Sequence, residues 1–99
     1  MVAVVDISRR TNRGEGMKVG DKVFIRTVTY HYTGECVESG TENWLRLTNA
    51  AWIPNSGRLS DALRTCNFKE VEPYPNDVLI NADTIVDVTT IDTLPTERK

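Results

Sequence analysis

The chain is poor in the residues from which metal and redox centres are built. Its 99 residues hold two cysteines, Cys36 and Cys66, and one histidine, His31. A zinc site needs four such ligands at tight spacing, and no CxxC pair is present to begin one. The thiols therefore read as reduced and half-buried, with no disulfide indicated. No apolar run approaches the roughly 18 residues of a membrane span. The opening Met1-Val-Ala-Val-Val-Asp6 has too short an apolar run and no basic flank for a secretory signal, so the expected location is the cytoplasm. Phosphate loops and dinucleotide glycine patterns are missing. His31 lies between Tyr30 and Tyr32 with no serine or cysteine motif around it, and reads as an ordinary strand histidine. Asp77, Asp83 and Asp87 sit at alternate strand and turn positions and read as solvated acids rather than a metal cluster. The chain reads as a non-enzyme without a cofactor.

A large excess of charge of either sign is also lacking. The net charge is −2, which argues against a general nucleic-acid binder. The distribution is uneven, however: residues 1–26 carry a balance of +3 and residues 27–99 a balance of −5. A charged partner would meet different fields at the two ends.

What the chain does have is strand material. One domain of modest core is expected at this length, with residues 1–18 as an N-terminal arm, 19–92 as the body and 93–99 as a polar tail. Met1 to Ile7 has strand-like content, and Ser8 to Gly16, with Arg9, Arg10 and Arg13, reads as a loop. Lys22 to Tyr32 reads as one long strand rich in Val, Ile, Phe, Thr and Tyr. Phe24, Arg26, Val28, Tyr30 and Tyr32 fall on one face, and Val23, Ile25, Thr27 and Thr29 on the other. Apolar groups on both faces suit a strongly bent strand. Thr33-Gly34 interrupts the run and marks a bend or bulge. Trp44 to Ile53 is the next strand, with Leu45 and Leu47 facing one way and Trp44 and Arg46 the other. Leu59, Ala62, Leu63 and Cys66 share one face of a short helix over Arg58 to Cys66. Asn67 to Glu72 reads as a short strand, and Pro73-Tyr-Pro75 closes the excursion 54–76.

The organising stretch is Asp77 to Val88. Two apolar β-branched runs, Val78-Leu79-Ile80 and Ile85-Val86-Asp87-Val88, flank Asn81-Ala82-Asp83-Thr84, whose side chains favour a tight turn. The unit reads as strand, turn, strand, leaving edges that want a partner. The resulting fold class is mostly β: a small, strongly bent, five-stranded antiparallel barrel of the SH3-like or OB type, with one short helix between strands 3 and 4.

In its order of residues the chain resembles the Sm-like family, which includes the Hfq and LSm proteins. Val23-Phe-Ile25, Thr33-Gly34-Glu-Cys-Val37 and Leu45-Arg-Leu-Thr-Asn-Ala50 are similar to the first Sm motif, with Gly34 at its glycine. Ile80-Asn-Ala-Asp-Thr-Ile-Val-Asp-Val88 is similar to the second. The match covers residues 20–91. The chain departs from the family at Asn81-Ala82, where an Arg-Gly pair is usual, and at Gly40, where an Asp is usual. Asp83 adds a negative charge, and the loop holding the helix is enlarged.

The resemblance implies a cyclic homo-oligomer of roughly five to seven subunits, closed by pairing the last two strands across neighbours. It also implies single-stranded RNA binding or chaperoning in a bacterial cytoplasm. Small divergent members occur in bacteriophages as well. The residues placed at the RNA site are Asn43, Trp44, Arg46, Asn81, Ala82 and Asp83, with Trp44 as the stacking surface. Packing is the plain alternative role for Trp44, and turn formation for Asn81 and Asp83. Two rival readings are a structural or adaptor ring that binds a protein partner through 54–76, and a monomeric SH3-like module.

Overall fold

The computed structural model describes residues 17–99. The N-terminal arm, with Arg9, Arg10 and Arg13, lies outside them except for Met17 and Lys18. The described residues form one antiparallel open sheet of six strands and a short helix. The strands are β1 (Lys22–Thr27), β2 (His31–Val37), β3 (Trp44–Asn55), β4 (Glu70–Pro73), β5 (Val78–Asn81) and β6 (Ile85–Thr90). The helix α1 (Leu59–Thr65) follows β3, and a 3-10 turn (Ala82–Thr84) joins β5 to β6. Among the described residues no helix is long and apolar enough to cross a membrane.

The sixth strand is β4. It lies within the excursion 54–76 and lengthens the sheet instead of looping away from it. The sheet order is β4-β3-β2-β1-β6, with β5 also on β3. One edge of β3 is therefore divided: Trp44 to Leu47 pair with β5, and Ala51 to Asn55 pair with β4.

Lys22 to Tyr32 is not one strand. The Thr27 hydroxyl accepts from the Thr29 and Tyr30 amides at 3.3 and 2.9 Å and donates to the Tyr30 carbonyl at 2.7 Å. A Ser/Thr side chain bonded this way offers the backbone an alternative to the ladder, and β1 turns back into β2. Continuous alternation across this turn fails as a result. Tyr32 pairs with Ile25 and His31 with Arg26, so Tyr32 shares the face of Ile25, not that of Phe24. His31 instead meets Phe24 edge-on, with centroids 5.6 Å apart.

The bend expected at Gly34 is present. The β2–β3 register shifts between Thr33 and Glu35, and across from it Asn49 takes a left-handed φ of 49°. This is a β-bulge, one residue of β2 facing two of β3. A Cβ built on Gly34 would lie 2.8 Å from the Leu47 Cβ, so the two strands approach where only glycine fits. The strand β3 also runs on through Pro54, where the β3–β4 register shifts between Trp52 and Asn55. Proline is tolerated at such an irregularity.

The sheet separates two cores. Val23, Ile25, Cys36, Leu45, Leu47, Ala50 and Ile80 form the first, joined by Val78, Ile85 and Val88. Phe24, Ala51, Ile53, Phe68, Val71 and Ile91 form the second, which α1 covers with Ala62 and, less deeply, Leu59, Leu63 and Cys66. The helical spacing expected for α1 thus holds, although Ala62 alone of that face is fully buried. Cys66 ends the helix with φ 60°, and Cys36 and Cys66 are both free thiols. Cys36 is fully buried rather than half-buried. The polar tail is docked: Leu94 packs on the second core, and Lys99 exchanges backbone hydrogen bonds with Val71 at 2.9 and 3.0 Å.

The stretch 77–88 is strand, turn, strand, but not a hairpin. β5 pairs with β3 and β6 with β1. Among the described residues each has one strand neighbour, and each exposes an apolar side chain, Leu79 on β5 and Val86 on β6. Across β1 and β6, Arg26 faces Asp87 in register and its guanidinium Nε donates to both carboxylate oxygens at 3.0 Å.

Candidate functional site

Asn43 ends the loop before β3 in a left-handed conformation, φ 68°, which asparagine adopts more readily than most residues. That geometry turns its side chain toward the 3-10 turn. Asn43 Nδ2 donates to Asp83 Oδ2 at 2.8 Å and to Asn81 Oδ1 at 3.4 Å. The Asn43 carbonyl accepts from the Ala82 amide at 2.9 Å. The turn is also closed on itself: Asn81 Oδ1 accepts from the Asp83 amide at 2.9 Å, and the Thr84 hydroxyl donates to the Asn81 carbonyl at 2.7 Å. Asn81 is therefore the N-cap of the 3-10 turn, the turn-forming role its chemistry favours.

Trp44 follows directly and stands opposite Asn81, and Arg46 stands opposite Leu79. Directly opposed residues in an antiparallel pair share a face, so Trp44, Arg46, Leu79 and Asn81 form one surface. Leu45 and Leu47 point the other way, into the first core. Trp44 is 38% exposed and Leu79 45% exposed, which leaves an indole and an isobutyl group open beside a rigid polar turn. Arg46 Nη1 lies 3.5 Å from Asp77 Oδ2, which holds the guanidinium at the β5 side of this surface.

All six residues singled out from the sequence thus gather at one end of the sheet. Asn43, Asn81, Ala82 and Asp83 are linked by hydrogen bonds, Trp44 is adjacent, and Arg46 is one rung further along. Their availability differs. Ala82 is fully buried and contributes its backbone to the turn, not its methyl group to a ligand. Asp83 is exposed and places a carboxylate on this turn, where it accepts from Asn43. No group of three His, Cys, Asp or Glu side chains suited to a metal ion occurs among the described residues.

A second feature was not singled out from the sequence. Tyr30, Tyr32, Trp52 and Tyr74 line an open recess of about 280 Å³. The Tyr30 ring meets Trp52 at 5.8 Å and 85°, and Tyr32 at 6.4 Å and 72°. Tyr32 and Tyr74 are 6.3 Å apart at 31°. Burial raises the Tyr32 pKa above its ordinary value, with smaller contributions from Tyr74 and Tyr30. The Tyr30–Tyr32 pair was visible in the sequence. Trp52 and Tyr74 join it only because β2, β3 and the segment after β4 lie side by side.

Comparison of the chain with protein-family models, with curated proteins and with solved structures returns no match.

Proposed function

We propose that this chain is a divergent Sm-like protein whose sheet curves into a small SH3-like barrel and assembles, through the edges of β5 and β6, into a cyclic homo-oligomer of roughly five to seven subunits. In this reading the ring works in the bacterial cytoplasm and binds single-stranded RNA without catalysing a reaction. The observation that carries it is the hydrogen-bonded junction of Asn43 with Asn81-Ala82-Asp83 beside the exposed indole of Trp44. A fixed polar turn next to a free aromatic face is what base recognition in single strands requires. The exposed Leu79 and Val86 support edge pairing, because strand addition hides such groups along with the open ladder.

The test is light scattering at micromolar concentration together with binding of short U-rich and A-rich RNA at two salt concentrations. Assembly and salt-sensitive binding near physiological ionic strength are expected. Trp44→Ala should weaken binding by about 1–3 kcal/mol. A monomer removes the ring and leaves a monomeric SH3-like module. Absence of RNA binding with the ring intact favours a structural or adaptor ring that holds a protein partner through 54–76. That second reading has its own support: the excursion is built into the sheet as β4 and delivers Tyr74 to the aromatic recess.

A further inference from the structure

We infer that the recess of Tyr30, Tyr32, Trp52 and Tyr74 is a receptor for an organic cation, the lysine or arginine side chain of a protein partner, held best when N-methylated. It lies eight residues along β3 from Trp44, beyond the bulge, and is independent of the RNA reading.

The arrangement of the rings carries the choice of ligand. Tyr30 stands nearly perpendicular to both Trp52 and Tyr32, while Tyr32 and Tyr74 are tilted by 31°, so the four walls face in more than one direction. A base or a proline ring is gripped between parallel faces, whereas a cation gains from several π-faces turned around it. Charge agrees with this. The lining holds no basic side chain, and the next rung of the sheet beyond Tyr32 and Trp52 is Glu72, directly opposite Trp52. Glu70 lies two residues earlier on the same face of β4 and is exposed. A carboxylate beside the rings attracts an ammonium or guanidinium group and repels the phosphates of a nucleic acid.

The openness of the recess selects a side chain over a free metabolite. Tyr30 is 52% exposed and Tyr74 38% exposed. Sites for free small molecules bury most of the ligand's surface, and this one would leave much of it in water. A cation carried on a polypeptide reaches in with its head group and leaves its backbone along the surface.

The experiment uses the full chain with Trp44→Phe, so that Trp52 is the sole indole reporter. Short peptides containing lysine, trimethyl-lysine, arginine or the neutral isostere norleucine are titrated, with choline as the free cation. The trimethyl-lysine peptide is expected to quench Trp52 and to bind roughly threefold to thirtyfold tighter than the norleucine peptide. Choline should bind more weakly than that peptide. Tyr30→Ala and Tyr74→Ala change exposed residues, so the fold should persist by circular dichroism while this preference is lost. Glu72→Gln should weaken the cationic peptides and leave the norleucine peptide unchanged. Equal binding of norleucine and trimethyl-lysine, or tighter binding of a proline-rich peptide or oligouridine at Trp52, overturns the proposal. Neither result touches the Trp44 surface, so the two readings fail separately.

Discussion

In the first half of β3, Leu45 and Leu47 enter the core closed by β5; in the second half, Ala51 and Ile53 enter the core covered by α1. All four have odd numbers, yet they lie on opposite faces of the sheet. A regular strand cannot do this, because its side chains alternate strictly. The extra residue at Asn49 resets the alternation, and Gly34 across from it makes room. The bulge therefore sends the two tryptophans to different faces as well. Trp44 faces outward beside the polar turn, and Trp52 lies on the first core's face at its open end, in the aromatic recess. The first half presents an indole among amides and a carboxylate; the second presents rings with a carboxylate on the next rung. One irregularity gives a small chain two chemically distinct surfaces.

The comparison is broken most severely by emptying the second core. Phe68 is 1% exposed and stacks on Phe24 with centroids 5.5 Å apart and planes 7° apart. Phe68→Ala should cost about 3–5 kcal/mol, seen as a fall in the urea midpoint. If the halves form one cooperative unit, tryptophan fluorescence and far-UV circular dichroism lose structure together. Separate transitions would instead show that the half bearing α1 opens first.

A smaller loss is expected at the junction. Gly34→Ala places a methyl group 2.8 Å from the Leu47 Cβ, close to the backbone, where no distant rotamer change relieves it. The expected cost is about 1–3 kcal/mol. Because the clash begins at a Cβ, Leu47→Ala should recover little of it. Strong recovery in the double variant would mean that the outer atoms of Leu47, and not the approach of the strands, set the requirement for glycine.

Asn81→Ala tests the first half alone. It removes the cap of the 3-10 turn and one partner of Asn43, and should cost about 0.5–2 kcal/mol by chemical denaturation. The cation preference of the Trp52 recess should stay unchanged. A change there would mean that the surfaces are coupled through β3.

How much of this was legible in the sequence follows from where the periodicity runs unbroken. Leu45, Leu47, Trp44 and Arg46 lie before the bulge, and their facing could be read from alternation. The helical face of Leu59, Ala62, Leu63 and Cys66 was legible for the same reason, and so was Gly34 as a point of irregularity. Alternation carried across Thr27 to Tyr30 failed, because a hydroxyl bonded to the local backbone leaves no periodic trace. The strand β4 was seen as a short run but not as the sixth member of the sheet, since its partner β3 is distant in sequence. Asn43, Asn81 and Asp83 could be grouped by motif order. The four-ring recess could not, because strand pairing alone brings Trp52 and Tyr74 to Tyr30 and Tyr32.

The mildest test uses the two thiols, one in each core. Cys36 is fully buried, and Cys66 caps α1 half-exposed. Burial pushes the Cys36 pKa from its ordinary 9.0 to about 12, with Asp21 and Glu35 adding in the same direction. At neutral pH the thiol is protonated in both the folded and the unfolded chain, so this shift costs nothing there. Above pH 9.0 the unfolded chain loses the proton and the folded chain keeps it. The stabilisation is thus complete below the unfolded pKa and falls away as the pH rises toward the folded value near 12. Tyr32 shifts in the same direction, so the contribution of Cys36 is the difference between the wild type and Cys36→Ala across that range. That difference should be flat near neutrality and narrow in alkali. In the native protein a thiol reagent should label Cys66 readily and Cys36 only as fast as the first core opens. Equal labelling of both would mean that the first core opens around Cys36 as readily as reagent reaches the half-exposed end of α1.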